Sequence, residues 1–285
     1  MDELIPIKKI FGNTGREVTR VGLGGEGVLR TQGRKSEARD VVKEAIAQGI
    51  TYFDSAQAYE DSEIYLGSVW GASPETRVNI FQASKSASRD KKGALKDLEN
   101  SLKRLQTSYL DLWQIHDVRT KEDLEEISGK GGALEAFLQA RNAGKVRFIG
   151  VTGHHDPAIL TKAVTDWPVD AVMMPVNPVE GILGGFLTST LDAAKTKGIA
   201  VIGMKVLGAS HYLSAKLNVT AELLIRYALS HEITVVIVGC SNINEVKTLA
   251  KEGSASNPLS EEEIVHLNDI FKPETKRLAF YRGMV

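Results

Sequence analysis

The stretch "ITYFDSAQAYEDSEIYLGSVWG", residues 50–71, contains one predicted strand and one predicted helix joined by a polar loop. Its first residues are mostly β-branched or aromatic, which is typical of a buried strand, and a helix is predicted from its last ten. The strand ends in Asp54, and Tyr59 lies in the loop that follows. Similar strand–helix units precede and follow this one along the chain.

Eight such units can be counted. Their strands are short apolar runs without polar alternation, as expected for parallel strands that are covered on both faces. The strand segments are "RVGLGG", "ITYFDSA", "VNIFQASK", "LDLWQIH", "VRFIGVTGH", "AVMMPVN", "AVIGMKVLG" and "TVVIVGCS". Eight alternations without a linker predict an α/β fold: one domain over residues 1–285, a single (β/α)8 TIM barrel.

Two further elements flank the predicted barrel. The segment "GNTG", residues 12–15, is typical of the turn of an N-terminal β-hairpin. An extra C-terminal helix is predicted from the capping box of Ser260 and Glu263 to about Phe271. Among the barrel helices, one is expected to begin at a capping Ser36, and one long polar helix is expected to end near Gly144.

A doubly wound parallel sheet is the main alternative fold. The stretch "GLGGEG", residues 22–27, nearly matches the glycine-rich phosphate loop of that fold. However, its first glycine falls inside the strand, and no acidic residue closes a second strand about 20 residues later. This match is weak evidence, and the barrel is favoured.

The composition excludes several classes of function. A chain with 42% hydrophobic residues, 25% charged residues and a net charge of -1 lacks the basic excess of nucleic-acid-binding proteins. No apolar run approaches the roughly 20 residues that span a bilayer, and the acidic N-terminus is unlike a signal peptide. The single cysteine, Cys240, excludes an internal disulfide and cannot by itself form a zinc site. We expect a cytoplasmic protein that binds neither nucleic acid nor membrane and holds no metal.

Polar side chains follow three consecutive predicted strands. The second strand ends in Asp54 with Tyr59 in its loop, the third ends in Lys85, and the fourth ends in His116. Each residue alone has an ordinary structural explanation. The aspartate could cap a turn, the tyrosine could pack against the core, the lysine could reach solvent, and the histidine could be hydrogen-bonded to the protein at a strand end. Because chemistry in such barrels occurs at the carboxyl ends of the strands, the four together predict an active site.

These four groups suit the protonation of a carbonyl oxygen. A free phenol has a pKa near 10, and a neighbouring ammonium group is expected to lower it. Asp54 can keep Lys85 charged, and His116 can donate a hydrogen bond to the substrate or pass a proton to Tyr59. No serine or cysteine nucleophile is evident, so a hydride from a bound cofactor is the expected attacking group.

Four segments resemble motifs of the aldo-keto reductase family: "FDSAQAYEDSE", "FQASK", "LDLWQIHD" and "GKVRFIGVTGH". The resemblance extends in order from about residue 7 to residue 252. It implies the reversible reduction of a small aldehyde or ketone by a nicotinamide nucleotide. In this reading Tyr59 is the general acid, Lys85 and Asp54 tune it, and His116 orients the carbonyl group.

The resemblance also implies where the cofactor binds, although several family residues differ here. Thr152 replaces a serine, Met173 and Val176 replace a glutamine and a tyrosine, and Met204 replaces a stacking ring. The implied cofactor-binding residues are Thr152, Asn177, Lys205, Leu207, Gly208, Gly239, Ser241, Asn242 and Glu245. The family favours NADP(H), which is therefore expected first, with NAD(H) second because Glu245 would repel a 2′-phosphate.

Two alternatives to a reductase remain at this point. One is a catalytically idle family member that binds nucleotide and regulates a partner. The other is a Schiff-base lyase that uses Lys85 on the same barrel. His154 is a candidate for the pocket wall, and the tail is a candidate to offer Phe280 or Tyr281 to a substrate. The sequence does not indicate the physiological substrate or the oligomeric state.

Overall fold

Eight parallel strands form a closed barrel and pair in the order in which they occur along the chain. The computed structural model describes residues 5–283. A two-stranded antiparallel hairpin precedes the barrel, as the "GNTG" turn predicts. The ten strands are β1 (Lys8–Ile10), β2 (Glu17–Thr19), β3 (Val21–Gly27), β4 (Tyr52–Asp54), β5 (Phe81–Ser86), β6 (Leu110–Ile115), β7 (Val146–Thr152), β8 (Ala171–Pro175), β9 (Ala200–Met204) and β10 (Val235–Cys240). The predicted TIM barrel with its N-terminal hairpin is therefore confirmed.

Helices cover the outside of the barrel. They are α1 (Lys35–Ala47), α2 (Ser62–Trp70), α3 (Pro74–Arg77), α4 (Lys91–Arg104), α5 (Lys121–Ser128), α6 (Ala133–Asn142), α7 (Pro157–Asp166), α8 (Pro178–Leu183), α9 (Leu191–Lys197), α10 (Ala221–Leu229), α11 (Ile243–Ser254), α12 (Glu261–Phe271) and α13 (Thr275–Leu278). Between residues 5 and 283, no helix is both long and apolar enough to cross a membrane.

The predicted C-terminal helix is confirmed as α12. Ser260 Oγ accepts a hydrogen bond from the Glu263 backbone N–H, and the Glu263 carboxylate accepts one from Ser260 N–H at 2.8 Å. These reciprocal bonds are the capping box that the sequence predicts.

Two helix predictions were wrong. Helix α1 begins at Lys35, with Ser36 inside the helix and no side-chain cap on its first turn. The predicted long polar helix before Gly144 is two helices, α5 and α6. The helix is interrupted between them, where Gly131 has a φ of +76° that favours glycine. Gly132 packs so closely against α5 that a Cβ on it would lie 2.3 Å from two carbonyl oxygens of that helix.

The barrel interior is filled by its own apolar cluster. Phe11 of the hairpin loop is fully buried there, with its ring centroid 4.7 Å from that of Phe81. Tyr52 stacks on Phe81 at 5.3 Å, and Leu112 belongs to the same cluster. The hairpin therefore closes one end of the barrel, and polar side chains collect at the other.

The alternation of side chains along each strand explains those polar positions. Side chains two or four residues apart on a strand point to the same face. Asp54 lies two residues after Tyr52, and Lys85 lies four residues after Phe81. Both continue an inward-facing row beyond the apolar cluster, at the carboxyl ends of the strands.

Candidate active site

Lys85 and Asp54 form a buried ion pair at the carboxyl ends of β4 and β5. Lys85 Nζ lies 2.5 Å from Asp54 Oδ2, and both side chains are 1% exposed. Lys85 Nζ also donates a hydrogen bond to the Ser55 carbonyl oxygen at 2.8 Å, and Gln114 Nε2 donates one to Asp54 Oδ1 at 3.4 Å. The ammonium group is therefore held by a carboxylate and a carbonyl group.

The ring of Tyr59 lies beside this ion pair. Lys85 Nζ is 4.8 Å from the centroid of the Tyr59 ring. The ring of His116 meets it edge-on, with centroids 5.7 Å apart and an interplanar angle of 78°. The Arg30 guanidinium carbon is 4.9 Å from the same centroid. The structure thus brings together the four predicted residues and adds a nearby cation.

The Lys85 ammonium group is held in its charged form. Burial by itself lowers the pKa of Lys85, but the Asp54 carboxylate, Tyr59 and Glu26 outweigh burial and raise it. A charged amine is a poor nucleophile but a good electrostatic partner for an oxyanion. This protonation state supports an electrostatic role for Lys85.

Tyr59 differs from the expectation that Lys85 would lower its pKa. Burial raises the pKa of the Tyr59 phenol above its usual 10, and the opposing influence of Lys85 is smaller. The net direction is upward because desolvation disfavours the phenolate more than one neighbouring cation stabilises it. Tyr59 is therefore a neutral phenol near pH 7, which is the form that can donate a proton.

His116 is also neutral near pH 7. Burial lowers its pKa to about 3, and the Lys85 charge acts in the same direction. A neutral imidazole retains one N–H group and can donate a hydrogen bond to a substrate oxygen. This protonation state is compatible with the hydrogen-bonding role predicted for His116.

Two residues that directly follow Tyr59 and His116, and the candidate residue Lys205 itself, have left-handed backbone conformations, which non-glycine residues seldom adopt. Glu60, Asp117 and Lys205 have φ values of +38°, +57° and +55°. The Asp117 conformation is held by its N–H bond to Thr152 Oγ1 at 2.8 Å and by Arg89, which donates to the Asp117 carbonyl oxygen at 2.7 Å. Strained backbone of this kind is frequent at ligand-binding sites.

A cavity of about 660 Å³ opens beside Tyr59 and extends along the ends of β3, β9 and β10. Its wall includes Asp54 and Tyr59 but neither Lys85 nor His116, which contact the Tyr59 ring instead. The predicted cofactor-binding residues that line it are Lys205, Leu207, Gly239, Ser241, Asn242 and Glu245.

The other three predicted cofactor-binding residues do not line this cavity. Thr152 Oγ1 accepts the bond from Asp117 N–H, and Gly208 is buried with a φ of +52°. The Asn177 amide donates to the Lys205 carbonyl oxygen at 3.1 Å and accepts the Glu180 backbone N–H at 3.1 Å. In this arrangement, the Thr152 and Asn177 side chains are engaged with protein groups.

The glycine-rich stretch at the end of the first barrel strand forms part of the cavity wall, which the sequence analysis did not predict. Gly24, Gly25, Glu26 and Gly27 all line the cavity. A Cβ on Gly24 would lie 2.9 Å from the backbone nitrogen of Gly239, so glycine is required where β3 approaches β10. The near-match to a phosphate loop was thus a usable signal, because it marked close approach of the backbone to the site.

A second missed group lies at the other end of the cavity. Ala209 and Ser210 line it and have left-handed φ values of +51° and +69°. Glu222 and Thr248 also line it. Ala209 and Ser210 follow β9, whereas Glu222 and Thr248 lie on α10 and α11. None of them belongs to a distinguishing motif, so the sequence offered no signal for them.

His154 and the C-terminal tail lie beside the site and contact each other. His154 Nε2 is 3.3 Å from Asp117 Oδ1, and its Nδ1 is 3.1 Å from the Tyr281 carbonyl oxygen. Neither His154 nor Tyr281 lines the cavity. Tyr281 is buried, and its hydroxyl donates to Glu180 Oε1 at 2.7 Å, whereas the side chain of Phe280 is 49% exposed. Of the two tail rings, Phe280 remains accessible.

The sequence and fold of this chain are similar to those of known oxidoreductases. The model of the Aldo/keto reductase family matches residues 20–219. The chain is 28% identical over 280 residues to L-galactose dehydrogenase of Arabidopsis thaliana, with 84% of this chain and 85% of that protein covered. It is 31% identical over 186 residues to an aldo-keto reductase of Bacillus subtilis, with 60% and 54% covered. The chain thus spans about half the length of that second relative.

Solved structures share the barrel over most of their length. A thermostable aldo-keto reductase in complex with the inhibitor epalrestat superposes with a TM-score of 0.76 at 25% identity, covering 93% of this chain and 99% of that one. An aldo/keto reductase from Klebsiella pneumoniae in complex with NADP and acetate gives a TM-score of 0.76 at 21% identity, covering 94% and 96%. The second likeness, at this identity, shows a common fold.

Proposed function

We propose that this chain, which belongs to the aldo/keto reductase family, reduces aldehydes or ketones to alcohols with a nicotinamide cofactor and that Tyr59 is the general acid. The observation that carries the proposal is the contact of a neutral phenol with a charged lysine and a neutral histidine beside a large cavity. These are the groups that carbonyl protonation needs.

The proton and the charges can be followed through the reaction. The bound nicotinamide cofactor would supply a hydride to the carbonyl carbon. The carbonyl oxygen then gains negative charge, and the Tyr59 O–H bond breaks as its proton moves to that oxygen. The phenolate that remains is stabilised by the Lys85 ammonium group, while His116 donates a hydrogen bond that orients the carbonyl oxygen.

The cavity fits a dinucleotide. Its volume of about 660 Å³ lies within the range of small-molecule and cofactor sites, roughly 300–1,000 Å³. Lys205 would pair with the pyrophosphate, with Leu207 and the neighbouring backbone of Ala209 and Ser210 beside it. Gly239, Ser241, Asn242 and Glu245 would contact the adenosine ribose.

We place NADP(H) first as the cofactor and NAD(H) second. The Klebsiella pneumoniae structure similar to this chain contains NADP, which supports the first choice. The acidic residues Glu222 and Glu245 line the cavity, and Lys205 is the only basic residue among its lining residues within the described chain. Carboxylates suit ribose hydroxyl groups better than a 2′-phosphate, and this supports NAD(H) as the second choice.

The lyase alternative needs a neutral amine at Lys85. The buried ion pair with Asp54 at 2.5 Å and the raised pKa of Lys85 both oppose that state. Borohydride treatment with a carbonyl compound, without added nucleotide, is therefore expected to leave no adduct on Lys85. An adduct on this residue would support the lyase and contradict the reductase.

Turnover of a panel of aldehydes and ketones with NADPH and NADH tests the proposed activity against the idle alternative. Oxidation of either cofactor that depends on the carbonyl compound is the expected result. Tight binding of nucleotide without any carbonyl-dependent oxidation would favour a regulatory protein. The oxidation of sugars with NADP+ and NAD+ should be measured as well, because one relative is an L-galactose dehydrogenase.

A further inference from the structure

The loop that carries Tyr59 is held by a residue from a neighbouring helix. Arg104, the last residue of α4, donates from Nη1 to the Gln57 carbonyl oxygen at 3.1 Å and from Nη2 to the Glu60 carbonyl oxygen. These two carbonyl groups lie on either side of Tyr59 in the sequence. One planar guanidinium group therefore fixes the backbone before and after the proposed general acid.

This loop needs such support because its backbone conformation is unfavourable. Glu60, directly after Tyr59, has a left-handed φ of +38°. Such a conformation in a non-glycine residue persists only when surrounding contacts select it. The bond from a charged donor to the Glu60 carbonyl oxygen is one of those contacts, and charge-assisted bonds are stronger than neutral ones.

A buried carboxylate connects this arginine to the strand of Lys85. Glu63 Oε2 lies 3.6 Å from Arg104 Nη1, and the Glu63 side chain is fully buried. Glu63 Oε1 accepts a hydrogen bond from Ser84 Oγ at 2.6 Å, and Ser84 is the neighbour of Lys85 on β5. A continuous chain of contacts thus runs from the Tyr59 loop through Arg104 and Glu63 to the strand that carries the lysine.

Building an ion pair into this position has little value for stability alone. The Glu63 carboxylate is fully buried and loses its hydration, which offsets much of what the pair with the 24% exposed Arg104 gains. Here both charges face backbone and hydroxyl groups of the two segments that carry Tyr59 and Lys85. The pair is therefore placed to fix their relative position.

We propose that Arg104 and Glu63 are positioning residues that hold the Tyr59 ring against the Lys85 ammonium group. This inference rests on the proposed reductase function of the same site. Neither residue lines the cavity or touches the Tyr59 ring, so both act through the backbone and through Ser84.

The test uses Arg104→Lys, which keeps a positive charge near Glu63 and so avoids leaving a buried carboxylate unpaired. Lysine has a single ammonium group and lacks the fork that reaches both carbonyl groups. We expect kcat for carbonyl reduction to fall at least about tenfold, because small displacements of a reacting group are costly. The dissociation constant of NADPH should change less than about twofold, since Arg104 is outside the cavity.

Arg141→Lys is the matched control. Arg141 lies near the end of α6 and also donates to a backbone carbonyl group and a carboxylate, those of Pro168 and Asp170, far from Tyr59 in the fold. It should leave kcat unchanged. Full activity of Arg104→Lys would overturn the proposal. So would a parallel loss of kcat, cofactor binding and melting temperature, which indicates a general structural role.

A second readout does not require turnover. In protein labelled with carbon-13 at the tyrosine ring carbon that bears the hydroxyl group, Tyr59 can be titrated by NMR and assigned with Tyr59→Phe. If Arg104 holds the ring near Lys85, Arg104→Lys should move the Tyr59 titration to higher pH. An unchanged titration would overturn the positioning role. If wild-type protein binds cofactor but reduces no carbonyl compound, the proposed function fails while this measurement still decides the positioning role.

Discussion

The protonation states of single residues decide what this site can do. Tyr59 is a neutral phenol with a raised pKa, Lys85 is a charged ammonium group, and His116 is a neutral imidazole. The identity of these residues could be predicted from the sequence. The upward shift at Tyr59 could not, because burial outweighs the lysine and depends on the packing of segments distant in sequence.

We expect the rate of carbonyl reduction to be level across neutral pH and to fall only at alkaline pH. With Tyr59 as the proposed proton donor, reduction should decline as pH rises through its pKa, which lies above the usual 10. The reverse reaction needs the phenolate and should accelerate over the same range. His116, with a pKa of about 3, should cause no inflection near 6.5.

The measurement is kcat and kcat/KM for reduction and for alcohol oxidation against pH. Tyr59→Phe serves as the control and should reduce turnover by roughly 10²-fold or more while cofactor still binds. A reduction rate that falls between about pH 6 and 7.5 would contradict this account, because it would indicate a titrating histidine.

Glu245 is expected to disfavour NADPH relative to NADH. Its carboxylate lines the cavity and accepts bonds from Ser241 N–H and from Asn242 Nδ2 at 2.6 and 2.7 Å. Glu245→Gln removes the negative charge and keeps an acceptor oxygen. The variant should bind NADPH about fivefold more tightly than wild type does. Two unit charges about 4 Å apart in water interact by ~1 kcal/mol, and this repulsion is removed.

Parallel fluorescence titrations with NADPH and NADH provide the measurement, and NADH serves as the internal control with little change expected. An equal effect on both nucleotides would show that Glu245 does not sense the 2′-phosphate.

At the scale of elements, alternation along the strands was the most informative part of the sequence. Asp54 and Lys85 lie an even number of residues after Tyr52 and Phe81, which point into the barrel. The meeting of Asp54 and Lys85 inside the barrel could therefore be predicted from the alternation alone.

The division of α5 from α6 also had a local signature, because Gly129, Gly131 and Gly132 are typical of a helix end. The route of the tail could not be predicted, because it depends on bonds from Tyr281 and Arg282 to Glu180, which is distant in sequence.

The C-terminal tail is attached to α8 by a buried ion pair. Arg282 donates to the Glu180 carboxylate from Nε at 3.1 Å and from Nη2, and to the Gly184 carbonyl oxygen. Arg282→Met would leave the Glu180 carboxylate buried without its cation. We expect the free energy of unfolding in urea to fall by about 3–5 kcal/mol.

Arg277→Met is the comparison for this prediction. Arg277 pairs with Glu274 on the surface, where both side chains are more than half exposed, and its loss should cost less than about 1 kcal/mol. If the two variants lose the same stability, the tail is not anchored as described. Adding Glu180→Gln to Arg282→Met should recover part of the loss.

At the scale of the whole molecule, eightfold repetition of one unit identified the fold. Each strand–helix unit has an apolar surface that it cannot bury alone. When the barrel closes, every unit buries that surface against its two neighbours. The hairpin completes the molecule by burying Phe11 in the barrel interior. A closed barrel then places all eight strand ends at one rim, which is why residues distant in sequence form one site.

Three partly buried histidines should each lower the stability of the folded protein below pH 6.5. Burial lowers the pKa of His116, His154 and His231 in the folded protein from the usual 6.5. The unfolded chain therefore binds more protons than the folded protein once the pH falls below 6.5, and the free energy of unfolding declines.

Urea unfolding at about pH 7.5, 6.5 and 5.5 measures this loss. The variant His231→Gln should show a smaller decline than wild type, because one of the three partly buried histidines is removed; His231 does not line the cavity. An identical pH dependence in the two proteins would contradict the assignment of His231 as a partly buried neutral group.

We propose that Tyr59, Lys85, Asp54 and His116 together reduce a carbonyl group with hydride from a nicotinamide cofactor. Mass spectrometry of the alcohol formed with NADPH or NADH that carries deuterium at both C4 positions of the nicotinamide ring tests this proposal. We predict deuterium on the former carbonyl carbon with wild-type protein and almost no labelled alcohol with Tyr59→Phe. Cofactor binding without any labelled alcohol, or equal labelling by Tyr59→Phe, would contradict the account.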